Sequence, residues 1–175
     1  MLIVGLASIV AAYAYTGGPY PLAYHGLGEL FVILFFGFVA VGGTFYAHSL
    51  QLTESALLAG FATGSLAAVL IVINNLRDIV SDRNSNKRTL AARFGRGFAR
   101  GEVMFFTIVP FVVVAFMAWM RTQAGLLLVL GALPLALVVI VRVFRSRGAE
   151  LNKALAMAGA LQWMFGLLFV AGAMI

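Results

Sequence analysis

The sequence predicts an all-α, polytopic membrane protein, one transmembrane domain over residues 1–175 with six transmembrane helices. The composition is 63% hydrophobic and 10% charged, where soluble domains carry about a quarter charged residues. Mean hydropathy is +1.04, and apolar runs of about 20 residues recur, each long enough to cross a bilayer as a helix. The twelve Lys and Arg residues outnumber six acids, and they bunch between the apolar runs. That is the distribution of loops on the positive side of a membrane. A nucleic-acid partner would need an exposed basic face with aromatics, so none is expected. With no cysteine, disulfide and zinc–thiolate chemistry are excluded. His25 and His48 are too far apart to make a metal-ligand pair.

The helices follow in order. Met1 to Tyr15 is apolar without the basic start of a signal peptide, and reads as the tail of a membrane helix. Tyr15-Thr16-Gly17-Gly18-Pro19-Tyr20-Pro21 is dense in helix breakers and rings, which fits either an interfacial turn or a pocket wall. Leu27 to His48 forms the second span, with Glu29 at its positive dipole end and Gly37, Gly42 and Gly43 offering close approach to a neighbour. Thr53 is placed to cap the third span, about Ser55 to Leu76, whose Gly60, Gly64 and Ser65 make a small-residue face. That span ends in Asn74 and Asn75, amides expensive in lipid and so expected to face the bundle interior. A polar connection from Arg77 to about residue 101, with seven basic residues and two acids, reads as the longest loop, broken by Gly95-Arg96-Gly97. The fourth span is expected over Glu102 to Met120 with a kink at Pro110, and the fifth over Ala124 to Val143 with a kink at Pro134. The last runs from about Leu155. Six spans place the connections near 15–27, 77–101 and 144–153 on one side. Two of these are basic, which makes that side cytoplasmic, in the cell (plasma) membrane.

The chemistry concentrates at the end of the third span. Asp78 and Asp82 lie four apart, and on a continuing helix they share a face, with Asn74 one turn earlier. Two stacked carboxylates need a counter-charge, and a hard cation such as Mg2+ supplies one with a preference for oxygen ligands. Arg77, Arg83, Lys87 and Arg88 surround the pair and suit a polyanion bridged to the metal. The stretch therefore reads as a site for a metal-bound diphosphate. The plainer alternative is a solvated loop in which the same carboxylates form salt bridges with the neighbouring cations.

Asn74-Asn75-Leu76-Arg77-Asp78, Asp82 and Lys87-Arg88-Thr89-Leu90-Ala91-Ala92-Arg93-Phe94-Gly95 resemble the second aspartate motif of the UbiA superfamily of intramembrane prenyltransferases. The branch most similar is that of the 1,4-dihydroxy-2-naphthoate polyprenyltransferases. Tyr15 to Tyr24, with Gly26-Leu27-Gly28 after it, looks like the loop before the fifth helix of that branch. The resemblance extends over essentially the whole chain and implies helices four to nine of a nine-helix bundle. It departs in two ways. The first Asn-Asp-x-x-x-Asp motif has no counterpart, so half of the metal site is missing, and Asn86 stands where the family pattern has glycine. Asparagine tolerates the left-handed conformation better than most residues.

The resemblance implies transfer of a polyprenyl group from its diphosphate to 1,4-dihydroxy-2-naphthoate, with loss of CO2 and diphosphate, as in menaquinone biosynthesis. Carried over, Asp78 and Asp82 would be the Mg2+ ligands and the catalytic pair. Asn74 and Asn75 would shape the site, Arg77, Lys87 and Arg88 would face the diphosphate, and Tyr20 would contact the isoprenoid or the naphthoate. The chain would be a truncated gene product, a fragment, or one part of a split protein whose partner is a separate chain carrying the missing helices, and alone it would have little or no activity. Another aromatic acceptor, an inactive or split scaffold subunit, and a cation transporter are the competing readings. Mg2+-dependent binding of a prenyl diphosphate separates the enzyme from the last two.

Overall fold

A computed structural model describes residues 2–17 and 21–175. The bundle is arranged around α4 (Glu54–Arg77), which opens where Thr53 accepts a hydrogen bond from the Ala56 amide at 3.2 Å. Its 24 residues span about 36 Å. Ala62, Leu66, Val69, Val72, Ile73 and Leu76 are buried along it. The helix touches the second span, α6 (Leu90–Arg121) and α8 (Leu151–Ala173). Between lipid-solvated helices there is little hydrophobic drive, so close packing and internal polar contacts hold the arrangement.

The second span, Gly28–Ser49, is long and apolar enough to cross a membrane. It comprises α2 (Gly28–Val32), a π-helical stretch over Ile33–Gly42, and α3 (Gly43–Ser49). The wide π turn lies where the span meets α4 most closely. A methyl group on Gly64 would stand 2.9 Å from the Ile33 carbonyl oxygen, and one on Gly60 3.0 Å from that of Gly37. The small-residue faces expected of both spans are thus the faces in contact.

Short α5 (Ile79–Asn84) follows, then α6 (Leu90–Arg121), then a 3-10 stretch Ala124–Ala132 that passes into α7 (Leu133–Arg145). Pro134 marks that change of winding, at the first turn of α7 where its missing N–H costs no hydrogen bond. After a 3-10 turn at Gly148–Glu150, α8 (Leu151–Ala173) closes the bundle, beginning four residues before the expected Leu155. Among the described residues five helices reach spanning length, where six spans were expected, and the N-terminal helix is not among the five. That helix, α1 (Leu2–Thr16), has 15 residues and is about 22 Å long, short of the hydrocarbon thickness. It leaves an apolar groove of about 480 Å³ against the second span, lined by Tyr15, Phe31 and Phe35 among others.

The polar connection after Arg77 differs from the expected loop, because most of it is helical: α5 and the first turns of α6 occupy it. Thr89 caps α6 by accepting from the Ala92 amide at 3.2 Å. Gly95 does break the helix, with φ 86° and ψ −180°, and α6 resumes at once. Asn86 has φ 57°, the left-handed geometry for which a glycine would be the easiest choice.

Candidate functional site

The site grows from the end of α4. Asp78 departs from helical geometry, with φ −95° and ψ 11°, yet its amide still bonds the Asn74 carbonyl at 3.0 Å and the Asp82 amide bonds that of Asp78 at 2.8 Å. These i-to-i−4 bonds carry the helical register across the change from α4 to α5. Asn74, Asp78 and Asp82 therefore follow one another at one-turn intervals, as their spacing predicts.

The side chains divide the labour. Arg77 grips Asp78 with two parallel bonds, Nε to Oδ1 at 2.8 Å and Nη2 to Oδ2 at 2.7 Å. This guanidinium holds the Asp78 carboxyl below its ordinary range, chiefly through the hydrogen bonds and against some desolvation. The other arm of Arg77 reaches across the bundle end to Asn152 Oδ1 at 2.8 Å. Asp82 is nearly enclosed. Its Oδ1 faces Lys87 Nζ at 3.3 Å, and its Oδ2 accepts from the Thr89 hydroxyl at 3.3 Å. Both carboxylates thus have internal cations, as the plainer alternative expected, while standing in the column the metal reading expected.

The two asparagines part company. Asn75 is buried and donates from Nδ2 to Glu29 Oε1 at 3.1 Å, and Asn74 is half-buried. Glu29 is buried as well, and its second oxygen has no hydrogen-bond partner. Arg83 donates from Nε to the Ala92 carbonyl at 2.9 Å and is turned away from the carboxylates. Arg88 is exposed, with its amide bonded to the Tyr24 carbonyl at 2.8 Å.

The last bond settles where the aromatic loop lies. Tyr24 sits under Lys87, whose ammonium is 5.8 Å from the ring centroid. Gly26 has φ 78°, and a methyl there would stand 3.2 Å from the Arg88 carbonyl oxygen. At the third connection, Arg100 Nη2 donates to the Ser146 carbonyl at 3.3 Å, and Arg77 meets Asn152. All three connections expected on one side therefore gather at one end of the bundle. Tyr20, expected as a substrate contact, lies outside the described residues.

As a metal site the donor set is partial. Among the described residues no three His, Cys, Asp or Glu side chains come together as a ligand group. Two carboxylates one turn apart still suit Mg2+, which commonly takes one or two carboxylates and completes its shell with water and phosphate oxygens. Sequence reasoning missed three participants. Thr89 carried a signal, since it opens an apolar helix, but its second role on Asp82 did not. Glu29 was read as a dipole partner only, and nothing in the sequence paired Asn152 with Arg77.

Comparison with known proteins agrees with this geometry. The model of the UbiA prenyltransferase family matches residues 1–169. The 1,4-dihydroxy-2-naphthoate octaprenyltransferase of Haemophilus influenzae is 34% identical over 98% of this chain and 56% of its own length. That of Mycobacterium tuberculosis is 38% identical over 92% of this chain and 59% of its own. The 2-carboxy-1,4-naphthoquinone phytyltransferase of a Synechocystis species is 25% identical over 97% of this chain. The chain thus spans a little over half the length of these relatives. No solved structure matches it. With the family model matched over residues 1–169 and relatives at 34% and 38% identity over nearly all of it, the chain belongs to the UbiA prenyltransferase family.

Proposed function

We propose that the chain forms part of a membrane prenyltransferase that moves a polyprenyl group from its diphosphate to 1,4-dihydroxy-2-naphthoate, releasing CO2 and diphosphate. The observation that carries this reading is the pair of i-to-i−4 backbone bonds linking Asn74, Asp78 and Asp82 at the end where the three connections converge. The relatives named as naphthoate octaprenyltransferases support the choice of acceptor.

On this reading Asp78 and Asp82 hold Mg2+, and the bound ion offsets the negative charge that develops on the departing diphosphate. Arg77, Lys87 and Arg88 bring donors to the diphosphate oxygens. Arg77 and Lys87 exchange their bonds to the carboxylates for bonds to phosphate, which costs little because one anion replaces another. Asn74 and Asn75 set the depth of the site, Asn75 through its bond to Glu29, and Tyr20 is assigned to the isoprenoid or the ring on the family resemblance alone. The aspartate end faces the cytoplasm of the cell membrane, in keeping with the basic residues gathered there. Further helices carrying a second aspartate motif, whether on the same polypeptide or on a separate chain, complete the metal shell. The purified chain alone then has little or no turnover.

The test measures binding rather than turnover. The chain in nanodiscs is titrated with a prenyl diphosphate, with Mg2+ and with EDTA. Binding that requires Mg2+ and falls at least tenfold in Asp78→Asn and Asp82→Asn supports the reading. Binding indifferent to metal and to both substitutions sinks it.

A further inference from the structure

Arg83, Asn86, Lys87, Arg88, Ala92 and Arg93 line a cavity of about 160 Å³ between α5 and the start of α6. The space corresponds to about five waters, enough for a phosphate group. Four of the six lining residues are cationic and none is acidic. Among the described residues Lys87 has Asp82 as its ion-pair partner, whereas Arg83, Arg88 and Arg93 have none. Like charges held around one hollow repel each other, and the arrangement is stable only with an anion or abundant solvent between them.

The surroundings say which anion fits. After the break at Gly95, α6 runs on from Arg96 to Arg121, about 39 Å, so roughly 9 Å of it must lie outside a hydrocarbon core of about 30 Å. The end left out is the one carrying Arg93, Arg96 and Arg100, which places the cavity at headgroup depth. Directly beside it Phe94 and Phe98 are 59% and 44% exposed, their rings 4.9 Å apart, and the Arg93 guanidinium lies 5.5 Å from the Phe94 centroid. Exposed aromatic rings adjoining basic side chains are the pattern of a segment that sits in the interface and holds anionic lipid.

We propose that this cavity is a phosphate-binding site adjoining the aspartate column, with Lys87 common to both, filled by the phosphodiester of an anionic lipid headgroup. Arg83 and Arg93 are its defining residues, and neither forms an ion pair with Asp78 or Asp82. The inference goes beyond prenyl transfer and does not depend on it. Free phosphate has the same chemistry and is the other possible source.

The experiment uses the whole chain in detergent, with EDTA throughout so that no metal-bridged diphosphate can form. Thermal stabilisation and native mass spectrometry follow titration with phosphatidylglycerol, phosphatidylcholine and inorganic phosphate. Phosphatidylglycerol is expected to bind and phosphatidylcholine not. Arg93→Gln should weaken that binding about fivefold, Arg93→Lys should restore most of it, and Arg83→Gln/Arg93→Gln should weaken it about 25-fold. Because Arg83 also bonds the Ala92 carbonyl, the single Arg93 variant, checked for an unchanged melt, decides if the double variant misfolds. Phosphate binding with the same sensitivity, without lipid binding, keeps the site and assigns it to the free ion. If neither anion binds, or Arg93→Gln binds both as tightly as the unaltered chain, the proposal is overturned.

Discussion

Removing the charge of Asp82 tests whether its ion pair holds the polar end of the bundle together. The carboxylate is 8% exposed and Lys87 26%, at 3.3 Å. At an effective dielectric of about 20 the Coulomb attraction at that distance is about 5 kcal/mol. Desolvation of the carboxylate cancels most of it, leaving a coupling between the exposed range of about 0–1 kcal/mol and the loss of about 3–5 kcal/mol for breaking a fully buried pair. A value of about 1–2 kcal/mol is expected. Asp82→Asn keeps an oxygen for the Thr89 hydroxyl, and Lys87→Met keeps an apolar stem over the Tyr24 ring, so the cycle isolates the charge pair. Stability is measured by unfolding in detergent mixtures, followed by circular dichroism. Asp82→Asn should cost about 2 kcal/mol alone and less when Lys87 is already Met. A coupling below about 0.3 kcal/mol, the ordinary scatter of additivity, would refute the assignment.

Four further outcomes are expected. Because Arg77 lowers the Asp78 carboxyl below its ordinary 3.8, the stabilisation it gives is complete above that value and disappears as pH falls through the lowered one. The gap between the unaltered chain and Asp78→Asn should therefore be constant above about pH 5 and close as pH falls below the ordinary carboxylate range, and it stays small because Asp78 is 39% exposed. Gly64→Ala, whose methyl meets the Ile33 carbonyl at 2.9 Å, should lose about 1–3 kcal/mol. Gly159→Ala, with nothing within 4 Å, should gain up to about 1 kcal/mol in the same melt. Asn86→Gly should be neutral or stabilising and Asn86→Ala should cost about 1 kcal/mol, since only the former fits φ 57° without strain.

Local chemistry was the part legible in the sequence. Thr53 was read as a cap and is one, Asn86 was read as tolerant of positive φ and has it, and Gly95 was read as a breaker and turns the chain. The spans came from hydropathy, which reports length but not neighbours. Contacts across the bundle were not legible. Asn75 could have faced any polar group, and only the approach of the second span to α4 brings Glu29 to it. The π winding of Ile33–Gly42 left no periodic signature, since nearly every residue there is apolar. The polar stretch after Arg77 misled in the opposite direction. Its charges resemble those of a solvated loop, yet Thr89 and the Asp82 carboxylate organise it into helices.

The two ends of the bundle are joined by different kinds of contact. Away from the aspartates, Gly125 and Gly172 bring backbone against backbone, so closely that a methyl on Gly172 would stand 3.1 Å from Leu126 Cα. Gln123 adds a bond to the Ala173 carbonyl at 3.0 Å. Such a junction has no side chain to rotate and so no alternative arrangement to adopt. At the aspartate end the side-chain ties are made by arginine, lysine, threonine and asparagine groups. A bulkier residue at Gly125 or Gly172 is therefore felt by the backbone itself, whereas a substitution at the aspartate end exchanges one polar contact for another.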